Sequence, residues 1–159
     1  NEVKKIFNKT IVLSGCLSNG NDIASALQMG ADIAYMGTRF INVKESQAEQ
    51  NYKDMIMRSG AEDIVYTAAV SGVNASFLRP SLEAMGITEE QWKDTKKIDF
   101  GNNSDLAESE AKAWKTIWSA GQGVSAITDS PKVTDLVLQL KSEFIEAVES
   151  QKKLLDLYS

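Results

Sequence analysis

No histidine occurs among the 159 residues. That excludes Ser-His-Asp and Cys-His nucleophile systems, and the usual His-containing zinc sites, from within the chain. Any acid–base catalyst it supplied would have to be Asp, Glu, Lys, Tyr or Cys. Cysteine is nearly absent as well. Cys16 stands alone, so no internal disulfide can form, and a reducing compartment, the cytoplasm, is expected. Basic residues are in deficit: 17 Lys plus Arg face 22 Asp plus Glu, a net charge of −5. A surface for nucleic acid or an anionic membrane needs the opposite balance. Apolar runs last only a few residues, too short for a bilayer-spanning helix. The chain opens on Asn1 rather than Met, with no signal-peptide core, which fits a beginning that lies upstream.

What is present is a globular composition, with 43% apolar and 25% charged residues, enough for a core of its own. Ile11-Val12-Leu13 reads as a short buried strand ended by Ser14-Gly15. A helix follows, with Asn21 as its expected N-cap, Ile23, Ala24, Ala26 and Leu27 at helical spacing, and Gly30 as the stop. Ile33 to Met36 forms a second strand ended by Gly37-Thr38, so the unit reads as a parallel βαβ crossover. Ser46 and Glu49 have capping-box spacing ahead of a helix with Tyr52, Met55 and Ile56 on one face. Ile64 to Val70 reads as extended, and Ser71-Gly72 opens a loop running through Arg79-Pro80. Another helix starts near Thr88 with Glu89 and Glu90 in its first turn. Asp99 to Asn103 is a polar linker, and Ser104 caps a helix carrying Leu106, Ala107, Ala111, Trp114, Ile117 and Trp118. The last helix is expected from Ser130-Pro131, with Val133, Leu136, Val137, Leu140, Phe144 and Val148 as its apolar stripe.

Two consecutive strands ending in glycine turns carry the chemistry. In α/β proteins ligands sit at the carboxyl ends of strands, where helix N-termini and free loop amides converge. Glycine lets backbone approach a phosphate closely, and its amide donates without help from a side chain. Gly15 and Cys16 supply one set of amides, Gly37 and Thr38 the other. The competing reading is that these glycines merely end strands. Arg39 is either a phosphate partner or the mate of an acid elsewhere. Cys16, near a helix start, has a second reading as a nucleophile. Trp92, Trp114 and Trp118 either meet a ligand or pack, and Met29 and Met36 read as core fillers. Glu108 and Glu110 read as a solvated helix face.

The stretches Ile11 to Gly20, Ala26-Leu27-Gln28-Met29-Gly30-Ala31-Asp32, Met36-Gly37-Thr38-Arg39-Phe40 and Glu45-Ser46 resemble the last two βα units of nitronate monooxygenases. Asn51-Tyr52-Lys53, Ser71-Gly72 with Arg79, and Trp118-Ser119-Ala120-Gly121-Gln122-Gly123-Val124 continue the resemblance in order along nearly the whole chain. The last stretch separates it from flavin-type enoyl-acyl-carrier-protein reductases, which it resembles through Asn51-Tyr52-Lys53. Members of the family are FMN-bound barrels that oxidise alkyl nitronates with O2.

The resemblance implies that Cys16 in the first loop, and Tyr35, Met36, Gly37 and Thr38 in the second, contact the FMN phosphate, with Gly15 adjacent. The family usually has a second glycine at Cys16 and Gln at Tyr35. Backbone contacts tolerate both changes if φ at Cys16 is negative, whereas a positive φ would strain it. The implied fold is α/β: the C-terminal part of a (β/α)8 TIM-type barrel, holding its last two βα units, plus a smaller mostly helical domain. A whole barrel takes roughly 200 residues or more, so the N-terminal part of the barrel is an expected partner. Residues 1–60 are assigned to the barrel, 61–103 to an extended segment and substrate lid, and 104–159 to helices packing back on it. The family's catalytic histidine lies upstream, so no catalytic residue and no metal site are expected here. The fragment alone is expected to be inactive and possible self-association follows from its open sheet. The alternative from another class is a non-catalytic module that binds a phosphate-bearing ligand.

Overall fold

The computed structural model describes residues 2–94 and 116–158. The linker at Asp99 to Asn103 and the helix expected from Ser104, with Glu108, Glu110 and Trp114, lie outside them. The chain divides into two compact units, Asn1–Glu49 with Ala126–Ser159, and Gln50–Ser125. The last helix belongs to the same unit as the first forty-nine residues.

The first unit contains α1 (Glu2–Ile6), β1 (Val12–Ser14), α2 (Gly20–Gln28), β2 (Ile33–Tyr35), α3 (Thr38–Ile41) and the terminal helix, named α7 below. Strands β1 and β2 pair in parallel, Val12 with Ile33, Leu13 with Ala34 and Ser14 with Tyr35, so β1–α2–β2 is the expected crossover. Its helix starts on Asn19 rather than Asn21. The Asn19 side chain accepts the Asp22 N–H at 3.0 Å, and Asp22 accepts the Asn19 N–H in return at 3.1 Å. The helix ends where expected. Gly30, at φ +100, donates to Leu27, and Ala31 donates to Ala26, the two bonds of a Schellman stop.

Helix α7 (Val133–Tyr158) begins two residues after the expected Pro131, whose carbonyl instead accepts the Lys44 N–H at 2.9 Å. The Glu45 carboxylate takes the Val133 N–H at 3.0 Å. Leu136 and Leu140 are buried with Val43, and Ile23, Met36, Phe40 and Val133 pack around them. Each buried leucine contributes about 1.5–3 kcal/mol. Val137 of the expected stripe is exposed, and Met29 is 60% exposed rather than a core filler. Helix α2 lies against α7, and Gly20 stands close to its backbone. A Cβ at Gly20 would collide with the backbone at Leu140 and Phe144. The β1–β2 sheet keeps Val12, Ile33 and Tyr35 exposed, unlike the parallel sheets of complete α/β folds, which are covered on both faces.

The second unit opens with α4 (Gln50–Arg58). Its start does not use the expected Ser46 capping box, since residues 46–49 precede the helix and Ser46 Oγ accepts the Ala48 N–H at 3.2 Å. A 3-10 turn (Ala61–Asp63) leads into β3 (Ile64–Thr67). The loop expected beyond Ser71-Gly72 contains a further strand, β4 (Ala75–Leu78), antiparallel to β3 with Ile64 opposite Leu78. Arg79 and Pro80 then open α5 (Arg79–Ala84), and α6 (Glu89–Lys93) follows Thr88. Val70, Phe77, Leu82, Ile87 and Ile117 form this unit's core. The described part of this unit combines the β3–β4 hairpin with short helices.

Candidate functional site

Ser14 and Tyr35 end their strands as register partners, so the two glycine loops leave the sheet side by side at its carboxyl end. The structure thus brings Gly15 and Cys16 to the same edge as Met36, Gly37 and Thr38.

In the first loop Gly15 has φ +96 and Cys16 φ +55. The positive value at Cys16 is the strained outcome. An L-residue in the left-handed region costs about 1–2 kcal/mol, because Cβ crowds the following carbonyl. Gly15 and Cys16 are both exposed, and a Cβ at Gly15 would meet nothing within 4 Å. In the second loop Tyr35 points to solvent and Met36 packs toward the Val43–Leu136–Leu140 cluster. Gly37 adopts φ −104 and ψ −73, open to any L-residue, and its Cβ would also meet nothing within 4 Å. Glycine at Gly37 is therefore not demanded by this chain's own backbone or neighbours.

The N-terminus of α2 is filled from within. Asp22 Oδ2 accepts the N–H groups of Ser18 at 2.7 Å and Asn19 at 3.1 Å. The amide of Gly20 donates to Glu143 Oε2, on α7, at 2.7 Å. An incoming phosphate would have to displace two carboxylates there. Arg39 is likewise committed. Its side chain is only 4% exposed and its Nη2 donates to Asp129 Oδ1 at 2.7 Å, which settles it as the mate of an acid. Its Nη1 also reaches the Asp129 carbonyl at 3.4 Å. Sequence reasoning missed both Asp129 and Glu143. They lie 90 and 123 residues from their partners, and no local pattern announces them.

The chemistry of the two glycine loops suits a phosphate monoester. Two short loops at one strand end present backbone, and the two glycines leave open space where side chains would otherwise stand. The residues that would hold it are Gly15, Cys16, Gly37 and Thr38.

In the second unit the Tyr52 and Trp118 rings stack at 5.1 Å, and the Tyr52 hydroxyl donates to the Ser119 carbonyl. Burial raises the Tyr52 pKa above 10.0, although the Ser119 bond opposes it. Ser119 bridges Phe77, and Leu78 donates to the Trp118 carbonyl at 2.8 Å, so this stretch extends the β4 edge. Trp92 packs against the core. Arg79 pairs with Asp63, whose carboxyl is held below its ordinary 3.8 by the Gly60 N–H and then by Arg79. Among the described residues no cluster suits a metal ion, and no helix is long and apolar enough to cross a membrane.

The model of the nitronate monooxygenase family matches residues 1–143. The chain belongs to that family. It is 28% identical over 148 residues to a nitronate monooxygenase of Paraburkholderia phytofirmans, covering 90% of this chain and 40% of that protein. It is 27% identical over 112 residues to nitronate monooxygenase npaC of Metarhizium robertsii, covering 68% of this chain and 31% of the relative. Among solved structures, FabK from Thermotoga maritima matches with a TM-score of 0.72 at 25% identity, over 96% of this chain and 50% of FabK. Nitroalkane oxidase from Streptomyces ansochromogenes matches with a TM-score of 0.68 at 27% identity, over 94% and 43%. This nitronate monooxygenase family chain therefore spans half or less of the length of each of these proteins.

Proposed function

We propose that the chain supplies the phosphate-binding loops of an FMN-dependent oxidoreductase that oxidises alkyl nitronates with O2. The observation that carries this reading is the register of Ser14 with Tyr35, which sends both glycine loops off one end of a parallel pair. The amides of Gly15, Cys16, Gly37 and Thr38 hold the phosphate, and Thr38 adds a hydroxyl. Charge-assisted backbone bonds of this kind are the strong class of hydrogen bond. Bound FMN supplies the redox chemistry between the nitronate and O2. The catalytic base and the contacts to the flavin ring belong to the rest of a (β/α)8 barrel, whose further strands cover the exposed Val12, Ile33 and Tyr35.

The test uses the protein at its natural length. Purified protein should be yellow, release FMN on denaturation, and consume O2 when given an alkyl nitronate. Colourless protein that does not take up added FMN would refute the reading and favour a module for another phosphate-bearing ligand. Asn51-Tyr52-Lys53 favours a second reading, a flavin-type reductase of enoyl thioesters. Loss of the enoyl double bond without nitronate-dependent O2 uptake would select it.

A further inference from the structure

The two loops at the carboxyl end of the sheet share an unexpected dependence. Beside each, a residue bonds a carboxylate from the same distant stretch of chain, Arg39 to Asp129 and Gly20 to Glu143.

The second loop is fixed through Arg39, which directly follows Thr38. A guanidinium this deeply buried needs its charge paired and its N–H groups accepted. Asp129 does both, taking Nη2 on its side chain at 2.7 Å and Nη1 on its carbonyl at 3.4 Å. Asn42 Nδ2 donates to the same carbonyl at 3.4 Å, so both ends of α3 are tied to one residue. The Lys44–Pro131 and Glu45–Val133 bonds continue the lacing. The first loop runs from Gly15-Cys16 into the start of α2, where Asp22 accepts the N–H groups of Ser18 and Asn19 just before Gly20. The Gly20 amide is taken by Glu143, and absence of a Cβ lets the backbones meet. Only Glu143 is carried by the helix α7, while Asp129 stands in the segment that leads into it.

We propose that Asp129 and Glu143 are positioning residues that hold the two phosphate loops at the spacing one phosphate requires. This rests on the flavin-phosphate reading of those loops. Neither side chain touches the ligand. Each acts through a residue of the loop it anchors.

The experiment measures the affinity of the natural-length protein for FMN and for riboflavin, which lacks the phosphate. Variants are Asp129→Ala, Glu143→Ala and Glu143→Gln, with thermal melting as the check on folding. Each alanine variant should lose about tenfold or more in FMN affinity, the scale of one charge-assisted bond, while riboflavin affinity stays near wild type. Glu143→Gln keeps an oxygen to accept the Gly20 N–H and should restore FMN binding. Should Asp129→Ala fail to fold, Asp129→Asn preserves the volume and removes the charge, and the same FMN-selective loss is expected. Equal loss for both flavins, or no loss for either, would overturn the proposal. Wild-type protein that binds FMN no better than riboflavin would instead refute the phosphate reading beneath it.

Discussion

The rings of Tyr52 and Trp118 lie 5.1 Å apart and 12° from parallel, joining α4 to the Trp118–Ser119 stretch that borders β4. Tyr52→Phe keeps the stack and removes the bond to Ser119. It should cost about 0.5–1.5 kcal/mol. Tyr52→Ala removes both and should cost at least a further 0.5–1.5 kcal/mol. Urea unfolding of both variants, alone and combined with Trp118→Ala, checks this. Strict additivity in the double variant would show that the rings do not interact.

Gly15 and Gly37 should respond oppositely to the same substitution. At Gly15, φ +96 makes any side chain strained, so Gly15→Ala should lower stability by about 1–2 kcal/mol. At Gly37, φ −104 and open space should let Gly37→Ala fold normally. On the proposed flavin-phosphate reading the new methyl group stands where backbone approaches phosphate, so FMN should be lost on desalting. Paired melting curves and flavin absorbance distinguish the two effects.

Cys16 carries the left-handed strain without glycine's exemption. Cys16→Gly should relieve it, partly offset by the greater chain entropy of glycine in the unfolded state. The expected net effect is a rise in stability of up to about 1 kcal/mol with flavin retained. Cys16→Ser should change little. A loss of turnover in Cys16→Ser with flavin still bound would reveal chemistry at the thiol.

Gly20→Ala should separate α2 from α7, since the added methyl meets backbone at Leu140 and Phe144 that cannot rotate away. Overpacking of this kind costs about 1–3 kcal/mol. The melting temperature should fall by several degrees, and FMN affinity should fall with it.

Asp63 gives a pH dependence of known sign. Its folded pKa lies below 3.8, so its bonds to Gly60 and Arg79 stabilise fully above the unfolded value. That contribution is lost as pH falls from about 4 through the folded value. Asp63→Asn should therefore be less stable than wild type at pH 7, with the difference closing at acid pH. A constant difference from pH 7 to pH 3 would contradict it.

Much of the β1–α2–β2 unit was legible because its signals are local. Val12, Leu13, Ile33 and Ala34 are strand residues, and Gly30 stops a helix by its own conformation. Thr88 was legible for the same reason, with Gln91 accepting its N–H at 2.8 Å. Asn19 and Asn21 are both good caps, and only Asp22, three residues beyond Asn19, decides between them. The β4 strand was hidden because Ala75 and Ser76 have little strand propensity, and pairing with Thr67 and Tyr66 of β3 makes them extended. The loops of the site were readable as glycine turns and as a family pattern. Their anchors were not, because ion pairs across 90 residues leave no mark on spacing.

The Gly20–Glu143 bond also constrains the order of events during synthesis. The first half of its unit leaves the ribosome well before residues 126–159 exist, and the whole of 50–125 is translated between them. Until then Gly20 has no α7 to meet, whereas the β3–β4 hairpin pairs within fifteen residues. Ribosome-bound chains ending before Glu143 must therefore wait with an incomplete first unit, when the protection of a chaperone would matter most.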